Sequence, residues 1–182
     1  MEYKKTEIEG VYIIEPRVFK DERGYFLEAW KKQEFEEHIG KVDFIQENES
    51  KSSRGVLRGL HYQKGEFSQA KLVRVIKGTV VDVAVDIRRS SPTFGKYVMT
   101  TLSDENKRQF FIPRGFAHGF LVKSDEAVFT YMVDNVYAPQ AEAGICWNDP
   151  ELNIPFDIRP EEVVSSEKDK KLPQLKDAWL FD

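Results

Sequence analysis

Residues 81–87 read Val81-Asp82-Val83-Ala84-Val85-Asp86-Ile87, so that four branched apolar residues alternate with small or acidic ones. Alternation with a period of two is typical of a β-strand that buries one face and leaves the other in water. Gly78 lies before this segment and Ser90-Ser91-Pro92 follows it, and both are turn-forming. The pattern predicts a half-buried strand bounded by turns.

Further short strands are predicted on the C-terminal side of this one. Apolar and β-branched residues recur at 97–102, 109–112, 119–122 and 127–134, with turn-like segments at 103–106 and 123–126. Many short strands joined by short turns favour a sandwich or barrel over an α/β fold. The sequence therefore predicts an all-β protein.

Helical segments are few and short. Residues 29–39 are the one good candidate before the tail, because Phe35 and Ile39 lie at helical spacing and Gly40 is a natural stop. After Asn153, prolines at 155, 160 and 173 exclude long elements, although residues 167–171 could form a helical turn. Since no repeat or linker divides the chain, we expect one domain over residues 1–182, with a C-terminal extension from about residue 153 that wraps the barrel.

The composition narrows the classes of partner. A chain of 182 residues that is 41% hydrophobic can bury roughly 70% of its unfolded surface. The single cysteine, Cys146, cannot form an internal disulfide, and residues 1–10 contain no signal-like apolar run, so we expect a cytoplasmic protein. The chain has 27 basic and 31 acidic residues and a net charge of -4, so nucleic acid and membrane surfaces are poor partners for it. It also has no stretch of about 20 apolar residues that could cross a bilayer.

Three histidines are candidates for chemistry. His38 lies in a polar stretch of the predicted helix, which favours a solvated surface residue. His61 lies in a predicted strand near Arg54 and Arg58, where either a structural or a functional role explains a titratable ring. His118 lies near the start of another predicted strand.

A metal site is not predicted. Metal-binding barrels of the cupin class present a His-x-His pair, a Glu and a later His, but the second position of the pair is Gln63 here. His61, Glu66 and His118 alone would make a poor cage for a first-row metal.

A hairpin is predicted around a turn between Ser124 and Asp125. Symmetric antiparallel pairing about this point would place His118 opposite Tyr131, Phe120 opposite Phe129 and Lys123 opposite Glu126. Two polar rings on one face indicate either the wall of a pocket or a core tyrosine bonded to a histidine.

Other polar residues share strand faces. Gln46, Asn48 and Ser50 alternate with two glutamates, and Phe26 and Glu28 also lie two residues apart. Such rows are more often solvated outer faces than sites. Arg58 and His61 are three residues apart and would face opposite sides of a regular strand, so we predict a β-bulge at Gly59 that turns both towards a pocket.

Several motifs together resemble a known family. They are Asp21-Glu22-Arg23-Gly24-Tyr25-Phe26-Leu27-Glu28, Gln46-Glu47-Asn48-Glu49-Ser50, Arg54-Gly55-Val56-Leu57-Arg58-Gly59-Leu60-His61-Tyr62-Gln63, Pro113-Arg114-Gly115-Phe116-Ala117-His118-Gly119-Phe120 and Trp147-Asn148-Asp149-Pro150. In this order, from about residue 10 to 173, they resemble the dTDP-4-dehydrorhamnose 3,5-epimerase family.

This resemblance implies a cupin-type double-stranded β-helix, or jelly-roll barrel, that forms a homodimer. It implies inversion of C3 and C5 of a dTDP-linked 4-keto-6-deoxyhexose, in dTDP-L-rhamnose biosynthesis, without a metal or organic cofactor. His61 resembles the general base, Tyr131 the general acid, Asp169 the partner of the base and Lys71 the lysine near the enolate oxygen. The positions that resemble substrate contacts are Arg23, Phe26, Glu28, Gln46, Asn48, Arg58, His118, Tyr137, Glu142 and Lys168.

Two other functions remain compatible with the sequence. A related enzyme of the same barrel could invert one carbon only or isomerise the ketone, and a non-catalytic relative could bind a sugar nucleotide.

Overall fold

The computed structural model describes all 182 residues, and β-strands dominate it. The strands are β1 (Glu2–Lys5), β2 (Tyr12–Glu15), β3 (Val18–Asp21), β4 (Gly24–Leu27), β5 (Gln46–Ser53), β6 (Leu57–Gln63), β7 (Lys71–Lys77), β8 (Thr79–Asp86), β9 (Tyr97–Ser103), β10 (Gln109–Ile112), β11 (Phe116–Val122), β12 (Glu126–Val133) and β13 (Glu142–Gly144). One α-helix, α1 (Lys32–His38), lies between β4 and β5, and the other helical segments are single 3-10 turns. The prediction of an all-β protein is confirmed.

Two antiparallel sheets form the body of the protein. The first has the order β1-β2-β10-β7-β12-β5, and the second has the order β13-β6-β11-β8-β9. Their hydrogen-bonded ladders do not join into a ring, so the sheets are separate layers. Strands β3 and β4 pair only with each other, in a hairpin apart from both sheets.

The main core lies between the two sheets. Val73 and Phe129 of the six-stranded sheet and Val80, Ala84 and Phe120 of the five-stranded sheet belong to one buried cluster. The rings of Phe120 and Phe129 stack with their centroids 4.2 Å apart. This cluster fixes the sheets face to face.

Each sheet is also covered on its outer face. Helix α1 inserts Phe35, which is 0% exposed, against Phe111 of the six-stranded sheet, and such burial contributes about 2–3 kcal/mol. The C-terminal segment places Phe156 and Leu175 on the outer face of the five-stranded sheet. A hydrogen bond of 2.5 Å from the Tyr62 hydroxyl to the carbonyl of Trp179 fastens its end.

The predicted position of β8 is correct, but the expectation that it is half-buried is wrong. Val83 and Val85 pack towards the C-terminal segment, whereas Val80 and Ala84 pack between the sheets. Asp82, on the face predicted to meet water, is 0% exposed. The period of two is confirmed, but the second layer that covers this face comes from strands distant in sequence.

The predicted hairpin of residues 118 and 131 is also wrong. Strand β11 pairs with β6 and β8, whereas β12 pairs with β5 and β7. The turn between them carries the chain from one sheet to the other, so Phe120 and Phe129 meet face to face between the layers rather than in a ladder. The sequence of the turn does not tell whether the strands on its two sides pair in a hairpin or belong to different sheets.

The helical predictions are confirmed in part. Helix α1 lies inside the predicted range but is shorter, and the predicted turn in the tail is a 3-10 turn at Asp169–Lys171. None of the helices has both the length and the apolar character that a bilayer-spanning helix requires.

Candidate active site

Two adjoining cavities of about 280 and 170 Å³ lie between the sheets. Both are lined by His61 of β6, Lys71 of β7 and Tyr131 of β12. The larger also contains Gln46 and Asn48 of β5, and the smaller contains Arg58, His118 and the two stacked phenylalanines. The structure therefore brings together one histidine, one lysine and one tyrosine that are distant in sequence.

His61 is held by an aspartate of the C-terminal segment. Its Nε2 lies 2.8 Å from Oδ1 of Asp169, and the backbone N–H of Gly59 donates to Oδ2 at 3.2 Å. Burial acts to raise the pKa of Asp169, but the hydrogen bonds from His61 and Gly59 and the attraction of His61 outweigh it, so this pKa is lowered. An ionised Asp169 accepts the proton on Nε2, and Nδ1 of His61 has no hydrogen-bond partner.

The predicted β-bulge at Gly59 is confirmed. In the ladder between β6 and β11, His61 faces His118 and Arg58 faces Phe120, so three steps along β6 match two along β11. Arg58 and His61 consequently line the same cavity, and Arg58 Nε donates to Ser52 Oγ at 3.1 Å. Gly59 suits this position because its φ is +120°, a value that other residues rarely adopt.

Tyr131 faces the cavity from the six-stranded sheet. Its neighbours in the ladders are Asn48 of β5 and Val73 of β7. Burial raises the pKa of the Tyr131 phenol, against opposing effects of Arg58 and Asn48. The phenol is therefore protonated at neutral pH and can donate a proton.

Lys71 is the first residue of β7, and its side chain reaches both cavities. Burial lowers the pKa of Lys71 to about 8, although Asp82 and Glu142 attract the ammonium. Its ammonium has no hydrogen bond or ion pair within the protein, so its three donors are available to a bound molecule.

His118 contacts a buried carboxylate that sequence reasoning missed. Its Nε2 lies 2.8 and 3.0 Å from the two carboxylate oxygens of Asp82 on β8. The alternation in β8 places Asp82 on a solvated face, and the one contrary signal in the sequence is an acidic residue inside an otherwise apolar strand.

Three of the predicted contacts form a polar group at the mouth of the larger cavity. The Tyr137 hydroxyl donates to Glu142 Oε2 at 3.0 Å, and Lys168 forms an ion pair with the same oxygen. The pKa of Glu142 is lowered because the hydrogen bonds from Lys168 and Tyr137 outweigh its partial burial, which acts to raise it. Tyr137 itself is 57% exposed.

No group of three or more His, Cys, Asp or Glu side chains is arranged to hold a metal ion. Gln63, at the second position of the potential metal motif, is buried and donates to the carbonyls of Phe67 and Val136. Its Oε1 accepts the backbone N–H of Ala138 at 2.7 Å. This side chain therefore organises the loop around the cavity.

The comparison with known proteins decides the family. The sequence profile of the dTDP-4-dehydrorhamnose 3,5-epimerase family matches residues 5–177. The chain belongs to this family. A dTDP-4-dehydrorhamnose 3,5-epimerase of Shigella flexneri is 54% identical over 178 residues, which cover 97% of each chain.

Solved structures of dTDP-sugar epimerases have the same fold as this family member. The dTDP-4-dehydrorhamnose 3,5-epimerase from Elizabethkingia anophelis NUHP1 aligns with a TM-score of 0.93 at 52% identity, covering 97% of both chains. The dTDP-6-deoxy-D-glucose-3,5-epimerase from Legionella pneumophila Philadelphia 1, in complex with dTDP-4-keto-L-rhamnose, aligns with a TM-score of 0.93 at 48% identity, covering 96% of this chain and 93% of that chain.

Not all positions that resemble the epimerase family's substrate contacts lie at the cavities. Arg23, Phe26 and Glu28 line neither, since they belong to the hairpin of β3 and β4 or follow it directly. The Arg23 side chain is 84% exposed and pairs with Asp21, and Phe26 is 65% exposed. Within one chain these three residues are separate from His61.

Proposed function

We propose that this chain is a dTDP-4-dehydrorhamnose 3,5-epimerase, which converts dTDP-4-dehydro-6-deoxy-D-glucose to dTDP-4-dehydro-L-rhamnose. The observation that carries the proposal is the placement of acid–base groups on both sides of the cavities. His61, paired with Asp169, lines them from the five-stranded sheet. Tyr131 and Lys71 line them from the six-stranded sheet. This arrangement provides a base, an acid and a cation around cavities of a size that suits a small molecule. Family membership at this level of identity supports the choice of substrate.

In the proposed first step, His61 removes a proton next to the ketone. The C4 carbonyl acidifies the protons on C3 and C5, and the free Nδ1 of His61 takes one of them. Asp169 holds the ring in the tautomer that leaves Nδ1 unprotonated, and it stabilises the imidazolium that forms. The electron pair of the broken C–H bond forms a double bond to C4, and the π electrons of the C4 carbonyl move onto its oxygen to give an enolate.

The second step returns a proton from the opposite face. Tyr131 donates its phenolic proton to the carbon, the carbonyl re-forms and the carbon is inverted. Lys71 would stabilise the enolate oxygen between the two steps, an effect often worth about 3–4 kcal/mol per donor. Proton exchange with solvent then restores His61 and Tyr131 before the other carbon reacts.

The remaining predicted residues are proposed to bind the substrate. Arg58 offers a guanidinium for the diphosphate, and His118 faces the sugar. The other proposed contacts within the chain are Gln46, Asn48, Tyr137, Glu142 and Lys168.

We also propose that the protein is a homodimer. Arg23, Phe26 and Glu28 resemble substrate contacts but lie on or beside an exposed hairpin, so a second chain would have to bring them to a cavity. Phe19 and Tyr25 on the same hairpin are 50% and 58% exposed, which is typical of a surface that another chain covers.

The finer description of the fold belongs to the same proposal. We propose that the two facing sheets are a jelly-roll barrel of the cupin type, whose ladders stay open at the edges. One domain over residues 1–182, with an extension from about residue 153, and a cytoplasmic location remain predictions.

Deuterium incorporation tests the reaction. The chain is incubated with dTDP-4-dehydro-6-deoxy-D-glucose in heavy water, and NMR counts the carbons that gain deuterium. Exchange at both C3 and C5 is expected. Exchange at one carbon would indicate an enzyme that inverts a single centre, and exchange at neither would refute the epimerase proposal.

Replacement of the base tests the mechanism. His61→Ala is expected to reduce kcat by roughly 10²–10⁴-fold, because a positioned base is lost. His38→Ala is the matched control, since His38 is exposed on α1, and it should keep wild-type activity. Wild-type turnover by His61→Ala would refute the role of His61 as the base.

A further inference from the structure

Two imidazole–carboxylate pairs stand side by side in the cavity wall. His61 and His118 face each other in the ladder of β6 and β11, and each directs Nε2 to its own aspartate. Asp169 comes from the C-terminal segment, whereas Asp82 lies within β8 and is 0% exposed. Asp82 lines neither cavity, so any effect on the reaction must pass through its neighbours.

The contacts of Asp82 lead to two residues of the cavity. Both carboxylate oxygens lie within 3.0 Å of Nε2 of His118, and no other side chain donates to them. Lys71 of the opposite sheet lines the same small cavity as His118, and the charge of Asp82 attracts its ammonium. The charged or titratable groups that act on Lys71 and His118 are Asp82 of β8, Glu142 of β13 and His61 of β6.

The balance of charge in this wall favours one protonation state. Burial acts to raise the pKa of Asp82 and to lower the pKa values of His118 and Lys71, so each charge needs an opposite one nearby. Asp82 as a carboxylate, Lys71 as an ammonium and His118 as a neutral imidazole together have no net charge. The other charged side chains that line the cavities are Arg58, Glu49 and Glu142. A second proton on His118 would leave an uncompensated positive charge in a buried place.

We propose that Asp82 is a positioning residue for the reaction, which fixes His118 with its proton on Nε2 and serves as the buried counter-charge that keeps Lys71 an ammonium. This inference rests on the proposed function. His118 then presents the lone pair of Nδ1 to the cavity, where it accepts a hydrogen bond from a sugar hydroxyl. Lys71, rather than His118, supplies the positive charge at the enolate oxygen.

The tautomer is tested on the resting protein without substrate. Nitrogen NMR of labelled histidine, with His118→Gln to assign the signals, should show a protonated Nε2 and an unprotonated Nδ1 at neutral pH. Two protonated nitrogens, or a proton on Nδ1 alone, would overturn the proposal. The measurement is independent of turnover, so it stands even if the deuterium experiment refutes the epimerase reaction.

The counter-charge is tested by Asp82→Asn, which preserves shape and an acceptor oxygen but removes the charge. The alkaline limb of kcat/KM should move to lower pH by about one pH unit, because Lys71 loses its proton more easily. From this shift alone, kcat/KM should fall about twofold at pH 7 and roughly five- to tenfold at pH 8 and above. In a Lys71→Arg background, Asp82→Asn should no longer move the limb, because arginine stays charged.

Asp86→Asn is the matched control. Asp86 is also 0% exposed on β8, but its partners are Arg88, Ser91 and Thr93, away from the cavities. This variant should lose stability yet keep the wild-type alkaline limb. If Asp82→Asn also keeps that limb, Asp82 is merely structural and the proposal is wrong. If Asp82→Asn does not fold, the NMR measurement on the wild-type protein decides.

Discussion

At the scale of single residues, the lowered pKa of Lys71 predicts how activity depends on pH. Burial lowers the pKa of Lys71 to about 8, so the ammonium loses its proton just above neutral pH. We expect kcat/KM to fall above pH of about 8, because the enolate oxygen then loses its cation. The measurement is kcat/KM across neutral and alkaline pH. Lys71→Arg should move this fall to higher pH, and an unchanged profile in that variant would assign the limb to another group.

The lowered pKa of Asp169 predicts how the stability of the fold depends on pH. Its pKa in the folded protein is lower than its usual value of 3.8, so its contribution to stability is present above that value and is lost as the pH falls through the lowered pKa. At neutral pH, Asp169→Asn should reduce the free energy of unfolding by about 1–2 kcal/mol. Denaturant unfolding at several pH values should show that this difference shrinks below pH 3.8.

A control from the same segment separates this effect from general damage to the tail. Asp177 is exposed, and Asp177→Asn should change the free energy of unfolding by less than about 0.5 kcal/mol at every pH. If the loss of unfolding free energy caused by Asp169→Asn stays constant down to acidic pH, the carboxylate charge of Asp169 does not stabilise the fold.

At the scale of elements, Gly59 in β6 decides where Arg58 and His61 point. A Cβ at this position would lie 2.7 Å from Gly119 Cα and from the His118 carbonyl oxygen, and the φ of +120° disfavours any side chain. Gly59→Ala should therefore force β6 away from β11, with a loss of roughly 3–5 kcal/mol in unfolding free energy and of most activity. Thermal unfolding and kcat/KM measure the two effects.

Gly95 provides the comparison for that change. Its φ is +73°, but a Cβ there would meet nothing within 4 Å. Gly95→Ala should cost only the backbone strain of about 1–2 kcal/mol and leave kcat unchanged. Equal losses in the two variants would show that the close approach of β6 and β11 is unimportant.

At the scale of the whole molecule, a mixing experiment tests the proposed dimer. If a second chain supplies Arg23 to the site of His61, then His61→Ala and Arg23→Ala chains can form a mixed dimer with one complete site. Activity of the mixture, after unfolding and refolding together, should exceed the sum of the two separate variants. No gain would mean that Arg23 and His61 act within one chain, or that the protein is not a dimer.

The sequence determined the elements whose signals are local. Alternation in β8, the turn residues around the later strands and the prolines after Asn153 predicted strands and a tail without long helices, because these patterns act over a few residues. Gly59 and the three-residue spacing from Arg58 to His61 likewise predicted the bulge. The motifs also predicted the family. Of the residues that the resemblance named, His61, Lys71 and Tyr131 line both cavities, whereas Arg23, Phe26 and Glu28 line neither.

The tertiary structure decided which faces are buried and which residues meet. Asp82 has the sequence pattern of a solvated face, yet the opposite sheet covers it and makes it the partner of His118. The turn at residues 123–125 gave no sign that β11 and β12 belong to different sheets. Both outcomes depend on contacts between strands that are distant in the chain, and a local pattern contains no information about which layer will pack against it.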